Sequence, residues 1–173
     1  DLMLYGGAAG GGKTDLIAGL SLFAHHRVAI YRDTLKSMKG LRDRMNSIMR
    51  SAGMGRITGN PPQWVGPDDR SIEFGHLGAP GAEEDWQGQP HDLKAFDEGA
   101  QLDPRKIIYV MGWLRKERPN PRCRAVIATN PPLGGQGDYL LEWFGPWLDP
   151  LHRLYGTVAP GELLWAVFID DGD

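Results

Sequence analysis

Residues 2–14 read LMLYGGAAGGGKT, and this stretch decides the predicted fold. Residues 2–5 form a short apolar strand, and residues 7–14 match the spacing G-x-x-x-x-G-K-[ST]. Apolar residues at helical spacing continue to about His25. A strand, a glycine-rich loop and a helix in this order predict a site that holds phosphate groups.

Glycines allow the backbone N–H groups of such a loop to turn inward around phosphate oxygens. Lys13 would reach the β- and γ-phosphates of ATP, and the Thr14 hydroxyl would bind Mg²⁺. ATP and Mg²⁺ are therefore the predicted cofactors, and a flexible glycine-rich turn is the alternative. The predicted cofactor-binding residues are Gly7, Gly10, Gly11, Gly12, Lys13 and Thr14.

The composition of the chain limits the classes of protein to which it can belong. The chain has 173 residues, 19 Lys and Arg against 22 Asp and Glu, a net charge of −3 and one cysteine, Cys123. An internal disulfide is excluded, and no Cys/His cluster has the spacing of a structural zinc site. Since no apolar run approaches the roughly 18 residues that cross a bilayer, we expect no membrane partner. We expect residues 1–173 to form a single ATPase domain, a fragment of a longer protein.

Strands alternate with helices along the chain. Strands are predicted at 2–5, 28–31, 71–74, 93–96, 124–128 and 163–169, with 63–65 pairing with 71–74 in a hairpin. Helices are predicted at 14–25, 34–52, 104–116 and 139–144. This order predicts an α/β fold with a mainly parallel sheet flanked by helices. Lys94 interrupts an otherwise apolar strand, which predicts an exposed edge or strand end there.

Two carboxylates follow the strand at 93–96. Asp97 is predicted to hold the magnesium ion, and Glu98 to polarise the attacking water as a general base. The pair favours an enzyme that hydrolyses ATP with water over a kinase, which must exclude water. A solvated strand end is the alternative.

The strand at 124–128 ends in Thr129 and Asn130, where open α/β sheets bind their ligands. Either residue is a candidate for a hydrogen bond to the γ-phosphate or to the attacking water. The alternative is an Asx turn before Pro131.

Hydrolysis also needs a cation to neutralise charge that develops on the γ-phosphate. Arg32 ends the second predicted strand and is the first candidate within the same chain. Candidates for insertion into a neighbouring subunit are Arg105, Arg115 and Arg118.

Charge is segregated along the chain. Basic residues outnumber acidic ones in residues 1–60 and in Arg105–Arg124, whereas the remainder is acidic. Basic faces of this kind suit contact with a DNA phosphate backbone, and solvated helix faces are the alternative.

The chain resembles the ATPase domain of the large terminase subunit of tailed bacteriophages and related viruses. The resemblance covers most of the chain and rests on the order and spacing of these segments: Leu4–Gly7 with Gly12–Thr14, Tyr31–Thr34, Trp86–Asp92 with Phe96–Glu98, and Thr129–Pro131.

The resemblance implies an ASCE-type, RecA-like P-loop NTPase, a Mg²⁺-dependent ATPase that assembles as a homo-oligomeric ring and drives double-stranded DNA into a procapsid. Lys13 and Thr14 would bind Mg-ATP, while Thr129 and Asn130 would couple hydrolysis to movement. The implied partners are double-stranded DNA, the portal protein and the small terminase subunit. The implied location is the host-cell cytoplasm, at the procapsid portal. The C-terminal nuclease of the family would follow Ile169, so we expect no nuclease activity from this chain.

Many relatives carry an arginine beside the glycine that precedes the acidic pair. Here Trp86, Gln87 and Gln89 surround Gly88, which leaves the identity of a trans-acting arginine open. The alternatives from other classes are a small P-loop nucleotide or metabolite kinase, a helicase- or recombinase-like ATPase, and a nucleotide-binding module without turnover. Kinases usually carry an arginine-rich lid, and the Gly78–Pro90 stretch contains no arginine.

Overall fold

The computed structural model describes residues 1–8, 10–116, 122–131 and 135–165. These residues contain six strands: β1 (Leu2–Gly6), β2 (Arg27–Arg32), β3 (Gln63–Val65), β4 (Ser71–His76), β5 (Leu93–Asp97) and β6 (Arg124–Thr129). They also contain five α-helices: α1 (Lys13–Gly19), α2 (Lys39–Ser51), α3 (Pro104–Met111), α4 (Tyr139–Trp143) and α5 (Gly145–Leu148). The chain divides into two compact units, Asp1–Gly137 with the sheet and Asp138–Asp173 with α4 and α5.

The six strands form one sheet in the order β1-β6-β5-β2-β4-β3. All neighbouring strands run parallel except β3 and β4, which pair as an antiparallel hairpin. Parallel neighbours require crossover connections, and α1, α2 and α3 lie in the connections between parallel strands. The predicted α/β fold with a mainly parallel sheet is confirmed, as is the predicted hairpin.

One apolar core lies between a face of the sheet and the helices α1 and α2. Side chains alternate between the two faces of a strand, so the odd-numbered Leu93 and Ala95 of β5 enter this core. Buried residues spaced four or five apart come from α1 and the turn that follows it, and from α2: these are Ile17 and Leu22, and Leu41, Met45 and Met49.

The first predicted helix is divided in the structure. The α-helical part ends at Gly19, and Leu20–Ala24 continues as a π-helical turn. Arg70 closes this turn, because its Nη2 donates hydrogen bonds to the carbonyl oxygens of Leu22 and His25.

Two other helices are shorter than predicted. Helix α2 begins at Lys39 rather than Thr34, although the Thr34 hydroxyl accepts a hydrogen bond from Ser37 N at 3.2 Å, as a helix cap would. The intervening residues form a turn instead. Helix α3 ends at Met111 rather than 116, because Leu114 instead pairs with His91 in a β-bridge.

The second unit, described from Asp138 to residue 165, contains short helices and aromatic contacts. The predicted helix at 139–144 is confirmed as α4, in which Tyr139 and Trp143 meet edge to face at 4.7 Å. Trp147 Nε1 donates to Ala159 O at 3.0 Å. The strand predicted at 163–169 is absent at 163–165, and its remainder lies outside the described residues. No described helix is long and apolar enough to cross a membrane.

Gly75 in β4 allows a close approach that any larger residue would block. A Cβ atom built on Gly75 would lie 2.0 Å from Cζ2 of Trp86. Trp86 therefore lies directly on the backbone of β4, where its ring also meets Tyr31 edge to face at 4.8 Å. This contact attaches the segment around Trp86 to the sheet.

We predict that Gly75→Ala lowers the free energy of unfolding by about 1–3 kcal/mol, because Trp86 must move to accept the methyl group. Urea unfolding followed by tryptophan fluorescence measures the change. Gly40→Ala is the matched control, since Gly40 is helical and a Cβ there meets nothing within 4 Å. Equal effects of the two substitutions would contradict this account of Gly75.

Candidate functional site

Four polar features meet at the edge of the sheet where the parallel strands end. Gly6 of β1 is in register with Thr129 of β6, and Ala128 of β6 is in register with Asp97 of β5. Arg32 ends β2, the next strand along. Neighbouring strands lie about 4.8 Å apart, so the glycine loop after β1 and the Asp97 backbone are separated by about 10 Å, with Thr129 between them.

The glycine loop adopts backbone conformations that need glycine. Gly7, Gly10 and Gly12 have φ values of 147°, 85° and 76°. The loop is tightened where Gly11 N donates to Ala8 O at 3.2 Å, and a Cβ on Gly11 would lie 3.2 Å from that same oxygen. The backbone conformation of the predicted phosphate loop therefore explains why these positions are glycines.

Lys13 and Thr14 start helix α1 at the end of this loop. Lys13 Nζ donates hydrogen bonds to Gly7 O at 2.8 Å and Ala8 O at 2.7 Å, which holds the ammonium group over the loop. The Thr14 hydroxyl makes no hydrogen bond with any residue that the structure describes. The Lys13 ammonium group and the Thr14 hydroxyl are thus both at the point where the loop enters α1.

The acidic pair differs in burial and backbone geometry. Asp97 is only 6% exposed, and burial raises the pKa of its carboxyl group, while the nearby Arg32 opposes this change. Glu98 is more exposed and has φ 55° and ψ 41°. The left-handed region is strained for a residue with a side chain, and such strain is concentrated at functional sites.

Arg32 lies against both carboxylates. Its Nε is 3.2 Å from Asp97 Oδ2, and its Nη2 forms an ion pair with Glu98 Oε1. The guanidinium also donates to Ser37 O. Arg32 therefore holds the two acids beside each other, a role that its place at the end of β2 did not predict.

The other candidate arginines have different surroundings. Arg105 pairs with Asp103, which caps α3, and Arg115 lies over the ring of Trp113 at 4.9 Å. Arg118 lies outside the described residues. In the part of the chain that the structure describes, no contact brings Arg105 or Arg115 to the strand ends.

Thr129 connects β6 to the turn that follows the acidic pair. Its Oγ1 accepts a hydrogen bond from Ala100 N at 3.2 Å and donates one to Asn130 O at 3.0 Å. Ala100 is two residues beyond Glu98, and Thr129 is buried whereas Asn130 is exposed. A displacement of Thr129 would therefore also move the backbone at Ala100, close to Glu98.

The residues at this edge fit a magnesium-bound triphosphate. The free Thr14 hydroxyl and the Asp97 carboxylate are oxygen ligands of the type that Mg²⁺ prefers, and Lys13 supplies a phosphate-binding cation. The described residues contain no group of three or more His, Cys, Asp or Glu that could hold a metal.

The prediction that Lys94 marks an exposed edge or strand end is wrong. Strand β5 lies between β2 and β6, and the Lys94 side chain is fully buried on the face opposite the apolar core. Its Nζ donates to Tyr31 Oη at 3.0 Å and to His91 Nδ1 at 3.2 Å. Partners on other elements, which a local pattern does not reveal, make this burial possible.

Tyr31, Glu73, His91 and Lys94 form what we term the polar network. His91 Nδ1 lies 3.2 Å from Lys94 Nζ and 3.1 Å from Gln89 O, and its Nε2 lies 2.8 Å from Glu73 Oε2. Burial lowers the pKa of His91, and the hydrogen bond from His91 lowers the pKa of Glu73. Burial also lowers the pKa of Lys94 to about 8. The network thus places the His91 imidazole between the Lys94 side chain and the Glu73 carboxylate.

Comparisons with known proteins support the fold. No protein-family model and no curated protein matches the sequence. The large terminase of a thermophilic bacteriophage has a similar structure, with a TM-score of 0.61 and 13% identity over 84% of this chain and 37% of the terminase. A structure of the same terminase in complex with ADP gives a TM-score of 0.52 and 12% identity over 75% of this chain and 33% of the terminase.

These comparisons confirm the predicted fold class and the resemblance to phage large terminases. The chain has a mixed α/β fold similar to that of part of these large terminases. It spans about a third of the length of the terminases it matches.

The lowered pKa of Lys94 predicts how stability changes with pH. Unfolded Lys94 has an ordinary pKa of 10.5, so between pH 8 and 9.5 the unfolded chain binds more protons at this residue than the folded chain. The free energy of unfolding should therefore gain about 1–2 kcal/mol from Lys94 across this window. Tyr31, His91 and Glu73 also face Lys94. The contribution of Lys94 to the pH dependence is therefore isolated by comparing urea unfolding of the parent and of Lys94→Met. The variant should lose the gain in the free energy of unfolding between pH 8 and 9.5.

Lys116→Met is the control for Lys94→Met, because Lys116 is an exposed lysine outside the polar network. It should keep the pH dependence of the parent. A Lys94→Met variant with the same slope as the parent would rule out a buried, charged Lys94.

Proposed function

We propose that this chain is the ATP-hydrolysing motor domain of a viral terminase large subunit, which drives the translocation of double-stranded DNA into a procapsid. The observation that carries the proposal is the meeting of the glycine loop, Thr129, Asp97 and Arg32 at one edge of a parallel sheet. The likeness in fold to phage large terminases supports it.

Each residue at this edge has a proposed task. The loop glycines and Lys13 bind the phosphates, and Thr14 with Asp97 holds Mg²⁺. Mg-ATP would supply the phosphoanhydride bond, and the metal would partly neutralise the negative charge on the phosphate oxygens. Glu98 is the general base for water; its side chain is 35% exposed, and Arg32 holds one of its carboxylate oxygens.

Arg32 serves this site by positioning. Its ion pairs with Asp97 and Glu98 orient both carboxylates and reduce the repulsion between them. Thr129 and Asn130 are the proposed link from the site to the rest of the sheet. The hydrogen bond between Thr129 and Ala100 supports this link, since it joins β6 to the turn after Glu98.

The proposed partners are double-stranded DNA, the portal protein, the small terminase subunit and further copies of this chain in a ring. The proposed location is the host-cell cytoplasm, at the procapsid portal. The segregation of basic residues supports the DNA partner. A small P-loop kinase and a helicase- or recombinase-like ATPase remain the competing functions. The Glu98 carboxylate beside Asp97 favours hydrolysis over transfer to an acceptor.

We predict that Glu98→Gln lowers ATP turnover by about 10²–10⁴-fold, because the amide cannot accept a proton from water. Nucleotide affinity should stay within a few-fold of the parent, since Glu98 is not assigned to binding. Phosphate release gives the turnover, and titration with a fluorescent ATP analogue gives the affinity.

Lys13→Ala is the matched comparison for Glu98→Gln. It should weaken nucleotide binding by about 10–100-fold through the loss of a charged hydrogen bond. Turnover at the parent rate in Glu98→Gln would refute the role of Glu98 as general base. Transfer of phosphate to a small acceptor without release into water would favour the kinase.

A further inference from the structure

A polar cleft on helix α2 lies away from the phosphate loop. It is an open cavity of about 690 Å³ between the C-terminal half of α2 and the segment that follows it. Its polar walls include Asn46, Ser47 and Arg50 of the helix, and Arg56 and Thr58 of the segment. The proposed ATP hydrolysis uses none of these residues.

The helix wall follows from the periodicity of α2. Met45 and Met49 are buried in the apolar core, so Ser47 and Arg50 lie on the exposed side of the helix. Asn46 lies at the boundary between the two sides and is partly buried. The same helix thus contributes to the core with one face and to the cleft with the other.

The opposite wall is held in place by hydrogen bonds to buried or helical groups. Asn46 Oδ1 accepts from Ile57 N at 2.8 Å, and Met54 N donates to Met49 O at 2.8 Å. The buried Trp64 donates from Nε1 to Met54 O at 2.8 Å. The cleft is therefore formed by the folded chain itself, without a ligand.

The charges at the cleft are not balanced. The side chains of Arg50 and Arg56 make no ion pair or hydrogen bond with any residue of the described ranges. Asp43 is the carboxylate in the described lining, and Lys39 already pairs with it at 2.7 Å. Two guanidinium groups therefore remain available to an anion at this cleft.

The donors at the cleft match a phosphate ligand. A guanidinium offers paired N–H donors that fit phosphate oxygens, and the hydroxyls of Ser47 and Thr58 add further donors. Small-molecule pockets are mostly lined by large apolar side chains, and Ile57 is the one such residue in the described lining. Two separate cations on an open cleft suit a repeating polyanion better than a compact apolar ligand.

We propose that the cleft binds the phosphate backbone of nucleic acid, with Arg50 and Arg56 each contacting a phosphate. This deepens the proposed function, on which it rests, by naming a surface for the DNA. Helix α2 also connects the cleft to the phosphate loop. Arg44 lies less than two turns before Arg50 and binds Asp15, the residue after Thr14, through Nε at 2.7 Å.

The test measures affinity for a labelled DNA duplex of about 30 base pairs by fluorescence anisotropy, without nucleotide, across a salt series. Arg50→Ala and Arg56→Ala should each reduce the slope of log affinity against log salt by about 0.9, and the double variant should bind about tenfold or more weakly at low salt. Arg153→Ala, which removes an exposed arginine outside the cleft, should leave the slope unchanged.

Because no nucleotide is present, DNA binding is measured independently of ATP hydrolysis. Glu98→Gln should bind DNA like the parent, and the double arginine variant should hydrolyse ATP without DNA at the parent rate. Urea unfolding checks that each variant is folded. An unchanged slope in the folded double variant would overturn the proposal. So would a polyglutamate peptide that binds as tightly as DNA with the same dependence on the two arginines, which would assign the cleft to an acidic protein segment.

Discussion

The pairing of β6 between β1 and β5 is the constraint on which the rest of the site depends. It aligns Gly6 with Thr129 and Ala128 with Asp97, so the glycine loop, a hydroxyl and a carboxylate follow one another along a single edge. Side chains alternate across a strand, and a shift of one residue in β6 would turn Thr129 to the other face of the sheet. The hydrogen bond from Ala100 to Thr129 would then be lost.

The two faces of the sheet contribute to this site in different ways. One face is apolar and holds α1, whose first residue is Lys13, the proposed phosphate-binding cation. The other face contains the polar network, two of whose members, Tyr31 and Lys94, lie on the same strands as Arg32 and Asp97. Tyr31 directly precedes Arg32, and Lys94 lies three residues before Asp97. The network therefore fixes β2 and β5 relative to each other just before the residues Arg32, Asp97 and Glu98, which contact one another.

Local patterns in the sequence predict most of this architecture. The phosphate loop, the alternation of strands and helices and the parallel sheet all follow from residue types at short spacing. The prediction for Lys94 is wrong because one of its hydrogen-bond partners, the Tyr31 hydroxyl, lies 63 residues away on β2, although His91 lies only three residues before it. A charged residue inside an apolar strand gives the same local sequence pattern whether its charged group hydrogen-bonds to water or to a hydroxyl from a distant part of the chain. The start of α2 was misplaced for a related reason, since Thr34 does cap a turn, and the sequence does not show that helical hydrogen bonds begin only later.

The position of Arg32 changes how charge at the site is understood. Two adjacent carboxylates, one of them buried, repel each other, and a cation between them favours the ionised form of both. Arg32 meets this need through its contacts with Asp97 and Glu98. Its guanidinium is therefore already engaged in the folded chain, and Lys13 is the cation held at the phosphate loop itself. A mechanism in which Arg32 stabilises charge on a γ-phosphate requires it to leave the two acids. This exchange would also release the carboxylate of Glu98, the proposed general base. Positioning the general base and neutralising the phosphate would then be alternating tasks of one arginine, coupled through the position of Glu98.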